Sequence, residues 1–167
     1  MANGEVFVSG KEECFAVKVS GRATFECVAP LRDLAGKLDN ISFSKVDIDL
    51  GGCLGMDSTF MGVLAMMALR AKKAKAVITV WNADEMNKGL LAGLGLKKLF
   101  QYQEGVVEMG QFQTGSNTGT PLNKVENATT VLEAHKTLID ADAANKQRFD
   151  SVVEMTQQDI DRMQDKI

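Results

Sequence analysis

The spacing of apolar residues changes repeatedly along the first hundred residues, and each change predicts a new secondary-structure element. Apolar and polar residues alternate over residues 15–19, which predicts a strand, and residues 6–8 are its candidate hairpin partner. Helical spacing follows over residues 27–38. Alternation returns over residues 46–50, which predicts a second strand.

Further elements follow in the same segment of the chain. Residues 51–55 are rich in glycine and are expected to form a loop. Residues 57–59 supply N-cap residue types for an apolar helix that ends near the basic residues at 70–75. An almost wholly apolar run over residues 76–81 predicts a strand buried on both faces. Residues 84–94 predict another helix, which glycines end.

The alternation of strands and helices predicts an α/β fold. The two hairpin strands at the start make the sheet mixed, and right-handed crossovers place the helices mainly on one side of four to five strands. We expect this domain to cover residues 1–113.

A second segment begins where the composition changes. Residues 114–122 are turn-formers and small polar residues, which predicts a linker. No glycine or proline and one aromatic residue occur after Pro121, so residues 123–167 are expected to form a helical tail. Six basic and nine acidic residues follow Pro121, and they account for the whole formal net charge of −3.

Apolar residues recur every seven positions in the tail, which predicts a helical seam against another helix. The repeat lapses at Asp142 and Lys146, so one long helix and a hairpin of two helices both fit the pattern. The seam is expected to mediate homodimerisation or partner binding, or to cover the domain itself. The residues expected to form it are Leu132, Ile139, Phe149, Val153 and Ile160.

Composition and charge narrow the class of function. A chain that is 45% hydrophobic and 25% charged is typical of a soluble globular protein. The acidic balance argues against nucleic acid as a partner, and no apolar run approaches the roughly 18 residues of a membrane span. We therefore expect a cytoplasmic protein. Its three cysteines are odd in number and widely spaced, which predicts reduced thiols.

The residues needed for an enzyme are missing from the expected places. The phosphate-binding loop and dinucleotide motifs do not occur, and Ser58 lacks the flanking glycines of a nucleophile elbow. His135, the only histidine, lies in the tail and would have to fold back to act as a base. Asp47 and Asp49 share one strand face without a third ligand in view. We expect no catalytic activity, no metal and no cofactor.

Two blocks of sequence carry a family resemblance. Residues 46–50 and 56–64, which read VDIDL and MDSTFMGVL, resemble the central motif of the sulphate-transporter and anti-sigma-factor-antagonist (STAS) domain. Gly21-Arg22 before the first helix and residues 91–96 before Phe100 are similar to the flanking landmarks of that domain. The resemblance covers about residues 5–105.

The resemblance implies a regulatory protein that binds a serine-kinase anti-sigma factor. It also implies that this kinase phosphorylates Ser58, which ends the binding until a phosphatase resets the protein. A phosphate at a helix N-terminus meets free backbone N–H groups, so it should alter binding rather than folding. The residues expected around Ser58 at the partner surface are Asp57, Thr59, Phe60 and Met61, together with Gly21, Arg22 and Thr24.

Alternatives remain open on the sequence alone. Residues 57–59 fit a simple helix cap. Phe60 stands where the family usually has glycine. This departure favours a STAS protein that is never phosphorylated and serves as a scaffold or interaction subunit of a signalling or transport complex. A small-ligand-binding domain that uses the glycine-rich segment as an anion site is a further alternative.

Overall fold

A six-stranded mixed sheet forms the centre of the computed structural model, which describes residues 4–110, 113–114 and 123–165. In spatial order the strands run β5-β4-β3-β2-β1-β6. Strand β1 is antiparallel to β2 and to β6, and β2 to β5 are parallel to one another. The strands are β1 (Glu5–Lys11), β2 (Cys14–Ala23), β3 (Lys45–Met56), β4 (Val77–Trp81), β5 (Gln101–Gln103) and β6 (Gln113–Thr114).

Three helices connect the parallel strands. Each crossover from β2 to β5 moves one place in the same direction across the sheet, and right-handed crossovers then put the three helices on one face. The mixed α/β fold is therefore the predicted one, with a two-residue strand beyond the expected four to five. These helices are α1 (Ala29–Lys37), α2 (Ser58–Ala74) and α3 (Glu85–Gly93).

The side chains of β3 point alternately to the two faces of the sheet. Val46, Ile48 and Leu50 are buried beneath the helices, whereas Asp47 and Asp49 are half-buried on the other face. Both carboxylates accept hydrogen bonds there, since Oδ1 of Asp47 lies 2.9 Å from Trp81 Nε1 and Oδ1 of Asp49 lies 2.9 Å from the amide nitrogen of Gly51.

The loop predicted at residues 51–55 is wrong, because β3 continues to Met56. The end of β2 carries this extension, since Ser20 pairs with Gly52 and Ala23 pairs with Met56. The register shifts twice along this part of the pair. A glycine-rich segment can stay extended when a neighbouring strand supplies its hydrogen bonds, and nothing local in the sequence reveals that neighbour.

The tail contains two helices, α4 (Lys124–Ala141) and α5 (Asn145–Asp165), so the hairpin is the alternative that the structure adopts. Asp142 ends α4 and turns the chain, because its Oδ1 accepts from the amide of Ala144 at 2.9 Å. Lys146 lies in α5 and pairs with Asp150 at 2.7 Å rather than with Asp142. Residues 115–122, most of the predicted linker, lie outside the described residues.

Helix α2 lies between the sheet and α4, which explains its almost wholly apolar sequence. Its buried residues face all around the helix instead of forming a single stripe. The tail hairpin, defined as α4 and α5, therefore forms a third layer over the start of α2. Within the described ranges, no helix combines the length and apolar character that crossing a membrane requires.

Candidate functional site

The carboxylate of Asp57 fixes the start of α2. Its Oδ1 accepts a hydrogen bond from the amide of Phe60 at 2.8 Å, which is the predicted N-cap. Its Oδ2 accepts from the amide of Phe25 at 2.9 Å and so joins α2 to the turn before α1. Both carboxylate oxygens serve the fold, and the neighbouring hydroxyl of Ser58 is left free of capping.

Ser58 is the first residue of α2 and is half-buried. Its Oγ lies 2.8 Å from Nε2 of His135, which belongs to α4. The sole histidine therefore does fold back onto the serine, through the docking of the tail hairpin. The sequence places His135 in the tail but gives no sign of its partner 77 positions earlier in the chain.

The hydrogen-bond partners of His135 define its tautomer. Nδ1 lies 2.7 Å from the carbonyl oxygen of Val131, which can only accept, so Nδ1 carries the hydrogen. In the neutral ring Nε2 then accepts, and the Ser58 hydroxyl donates to it. The ring is 3% exposed and meets the ring of Phe149 edge-on at 4.9 Å between centroids.

A hydroxyl that donates to a neutral imidazole is the arrangement of an activated nucleophile. The group that orients this imidazole is a backbone carbonyl rather than a carboxylate. Neither Ser58 nor His135 lines the cavities of about 880, 460 and 400 Å³ that the described residues form. The pair can thus hold and exchange a proton, but it faces no substrate cavity among these three.

Four of the predicted partner-binding residues, Gly21 and three residues at the start of α2, are buried, and their expected place at an open surface is corrected. Thr59 is 6% exposed, Phe60 is not exposed and Met61 is 5% exposed. Phe60 points into the core instead of toward a visiting kinase. The sequence predicts an apolar helix here but does not show its neighbours, whereas the sheet and α4 together bury nearly its whole circumference.

The other predicted residues lie together at the end of β2. Gly21 adopts a left-handed backbone conformation with φ of 74°, which glycine adopts without strain, and it pairs with Cys53 of β3. Arg22 is exposed, and Thr24 Oγ1 accepts from the amide of Glu26 at 3.3 Å. The amide of Asp57 donates to the carbonyl oxygen of Ala23 at 2.9 Å, so this segment adjoins the start of α2.

Exposed apolar side chains flank the same end of the sheet. Phe25 follows β2, Leu54 lies near the end of β3, and Met86 lies in the first turn of α3, which follows β4. Their exposed fractions are 51%, 62% and 50%. Leu54 is near α3 because Asn87 Nδ2 donates to the carbonyl oxygen of Cys53 at 3.0 Å. We call these three residues the apolar edge. The sequence-based prediction missed it, since its members are far apart in the chain.

The predicted oligomer seam is used inside the molecule. Leu132 and Ile160 are 7% and 6% exposed, and Phe149 packs against the core of the domain. Ile139 and Val153 are half-buried. The heptad pattern did predict a helical contact, and in this structure the contact joins α4, α5 and α2 of one chain. The buried residues of the seam therefore cover the domain itself, which is one of the uses expected from the sequence, and do not lie at an open surface.

The glycine-rich segment does not form the anion site considered from the sequence, because it is part of strand β3. Cys53 in this segment is 3% exposed, and its thiol donates to the carbonyl oxygen of Gly55 at 3.3 Å. Burial raises the pKa of the Cys53 thiol. The described residues hold no group of three potential metal ligands.

The fold is that of a small α/β domain in which the parallel strands β2 and β3 end next to the N-terminus of a helix that begins with a serine. The chain belongs to the STAS domain family, since the family model described as "Mlab, STAS domain" matches residues 6–102. No curated protein matches the sequence.

Solved structures share the fold at low sequence identity. The anti-sigma factor antagonist SpoIIAA in its unphosphorylated form has 11% identity and a TM-score of 0.53, over 60% of this chain and 88% of that one. A putative anti-sigma factor antagonist from Thermotoga maritima has 11% identity and a TM-score of 0.52, over 59% and 86%. An anti-sigma factor antagonist from Mycobacterium paratuberculosis has 20% identity and a TM-score of 0.51, over 60% and 86%.

Proposed function

We propose that this chain is a non-enzymatic regulatory protein of the anti-sigma-factor antagonist type. Its unphosphorylated form binds a serine-kinase anti-sigma factor, phosphorylation of Ser58 ends the binding, and a phosphatase resets the protein. The observation that carries the proposal is the position of Ser58 as the first residue of α2, with Asp57 alone supplying the cap. The proposal assigns the chain to the cytoplasm, because the transfer needs ATP.

Electrostatics support a switch at this position. The N-terminus of a long helix carries partial positive charge and free N–H groups, which stabilise an added phosphate. A phosphate adds roughly −1.5 to −2 charge that a docking partner must desolvate. A coupling of about 1 to 3 kcal/mol corresponds to a 5- to 150-fold change in affinity.

The apolar edge is the surface proposed to meet the kinase, in place of Phe60 and Met61. Clustered exposed hydrophobic residues commonly mark protein interaction sites. The exposed acidic residues Glu26, Asp84 and Glu85 lie beside Phe25 and Met86 in the chain. The partner surface should therefore be apolar with Lys or Arg at its rim.

Intact-mass measurement tests the phosphoacceptor. After incubation with ATP and a serine-kinase anti-sigma factor of the host, the wild type should gain one phosphate and Ser58→Ala none. Ser42→Ala, at an exposed serine, is the matched control and should still gain one. Addition of phosphate to Ser58→Ala would contradict the assignment.

Binding measurements test the switch and the surface. Ser58→Asp should bind the kinase more weakly than the wild type. Leu54→Gln should weaken binding about tenfold or more, since one central apolar contact can be worth more than 1 kcal/mol. Leu69→Gln, at an exposed leucine in the last part of α2, is the control and should bind like the wild type.

A second candidate is an interaction subunit that is never phosphorylated, within a signalling or transport complex. The hydrogen bond between Ser58 and His135 favours it, because the hydroxyl is already engaged in the described structure. Equal partner binding by the wild type, Ser58→Ala and Ser58→Asp, with no phosphate gained, would support this candidate against the first.

A further inference from the structure

Helices α2 and α4 approach so closely that one of them must lack a side chain at the contact. A Cβ added at Gly62 would lie 2.6 Å from both Cβ and the carbonyl oxygen of Ala134. Two of the three clashing atoms are the carbonyl carbon and oxygen of Ala134, so no side-chain rotation relieves the contact. The position of α4 over the start of α2 therefore depends on Gly62.

One turn before Gly62, the same helix pair closes over Ser58. His135 follows Ala134 directly and places Nε2 at 2.8 Å from Ser58 Oγ. Only the hydroxyl hydrogen fits between two atoms at this distance. A phosphoryl group would have to put a phosphorus and three oxygens near a ring that Val131 and Phe149 hold in place.

We propose that the tail hairpin is an intramolecular latch over Ser58. The latch is closed while Ser58 carries its hydroxyl, phosphorylation opens it, and a kinase reaches Ser58 only when it is open. The part that concerns the kinase rests on the proposed function, whereas the exclusion between phosphate and α4 does not. Because the kinase reaches Ser58 only in the open state, any change that raises the open population makes Ser58 a better phosphoacceptor.

A second set of contacts holds the hairpin at its turn, away from Ser58. Nδ2 of the buried Asn145 donates to the carbonyl oxygens of Leu94 and Leu138 at 2.9 and 2.8 Å. Arg148 donates to the carbonyl oxygen of Gly93 at 2.9 Å. These contacts keep the tail attached to α3 while the part of α4 around His135 moves, so the latch can close again after dephosphorylation.

The first experiment needs no kinase. Phosphoserine is introduced at position 58 during translation, and the full chain is compared with the unmodified protein by hydrogen exchange and by diethyl pyrocarbonate modification of its only histidine. Amides of α4 should exchange, and His135 should react, about tenfold faster or more in the phosphorylated chain. Exchange in β3 and β4 should stay unchanged, which shows that the domain remains folded.

Unchanged protection of α4 and unchanged reactivity of His135 in the phosphoserine chain would overturn the latch. That result would leave the proposed function intact, since it says nothing of kinase binding. Loss of protection in β3 and β4 as well would also overturn it, because phosphate would then unfold the domain instead of releasing the tail.

The second experiment opens the latch without touching Ser58. Gly62→Ala should expose His135 and should be phosphorylated faster than the wild type. Gly36→Ala, where a new Cβ meets nothing within 4 Å, is the matched control and should behave as the wild type, although alanine favours the helix at both positions. Equal or slower phosphorylation of Gly62→Ala would contradict the latch. If this variant does not fold, the phosphoserine chain decides the matter.

Discussion

Single residues at the start of α2 have structural roles that the sequence indicates only in part. The cap formed by Asp57 follows from residues next to one another, so the sequence predicts it correctly. The contact between Ser58 and His135 joins residues 77 positions apart, and no local pattern encodes it. Candidate residues are thus predictable where their partners are local, and hidden where the tail supplies the partner.

The two bonds of Asp57 give a first prediction. Asp57→Ala should lower the free energy of unfolding by about 2 kcal/mol, because it leaves the amides of both Phe60 and Phe25 without an acceptor. Asp84→Ala removes a cap with one such bond, to the amide of Asn87, and should cost about 1 kcal/mol. Urea unfolding of both variants provides the comparison, and equal losses would contradict a double role for Asp57.

The buried ring of Phe60 gives a second prediction. Phe60→Ala should lower the free energy of unfolding by about 3 to 5 kcal/mol, because it leaves a cavity in the core. Phe60→Leu should cost less than about 2 kcal/mol. A loss below about 1 kcal/mol for Phe60→Ala in urea unfolding would mean that the ring is at the surface, as the sequence-based prediction had it.

At the scale of elements, periodicity predicts what each segment forms, while neighbouring strands decide how far it extends. Helices α1, α2 and α3 and strand β4 lie close to their predicted positions. The extension of β3 through Gly52 depends on pairing with β2. Strands β5 and β6, of three and two residues, are too short to leave a periodic pattern and exist through their pairing with β4 and β1.

The turn of the tail hairpin gives a prediction about elements. Asn145→Asp should lower the free energy of unfolding by about 2 to 3 kcal/mol, because a buried carboxylate cannot donate to the carbonyl oxygens of Leu94 and Leu138. Hydrogen exchange should show that α4 and α5 lose protection before the sheet does.

The matched control for this variant is Asn40→Asp, at an exposed asparagine after α1, which should change the stability by less than about 0.5 kcal/mol. Equal protection of α4 in Asn145→Asp and in the wild type would show that the turn does not hold the hairpin in place.

At the scale of the whole molecule, three layers follow one another: the sheet, α2 with its neighbours, and the tail hairpin. The sequence predicts a tail with too few large side chains for a core of its own. It does not show whether a second chain or the same chain supplies the missing surface, because an apolar stripe has the same pattern in either case.

The layered arrangement gives a prediction about association. The full chain should sediment as a monomer near its mass of 18.1 kDa, because the hairpin uses its apolar stripe within the molecule. Gly62→Ala should self-associate at increasing concentration, since α4 then exposes Ala134 and Leu138. Gly36→Ala should remain monomeric. If the wild type formed a dimer as readily as Gly62→Ala does, the intramolecular use of the stripe would be contradicted.

The long separation between Ser58 and His135 also has a consequence for newly made protein. A ribosome that adds about 5 to 20 residues per second needs roughly 4 to 15 s to synthesise the 77 positions that separate the two side chains. During that interval the nascent domain holds an uncovered serine while its cover has yet to be synthesised. Under the proposed function, a kinase near the exit tunnel would find Ser58 uncovered during this interval, before the tail hairpin closes over it in the mature protein.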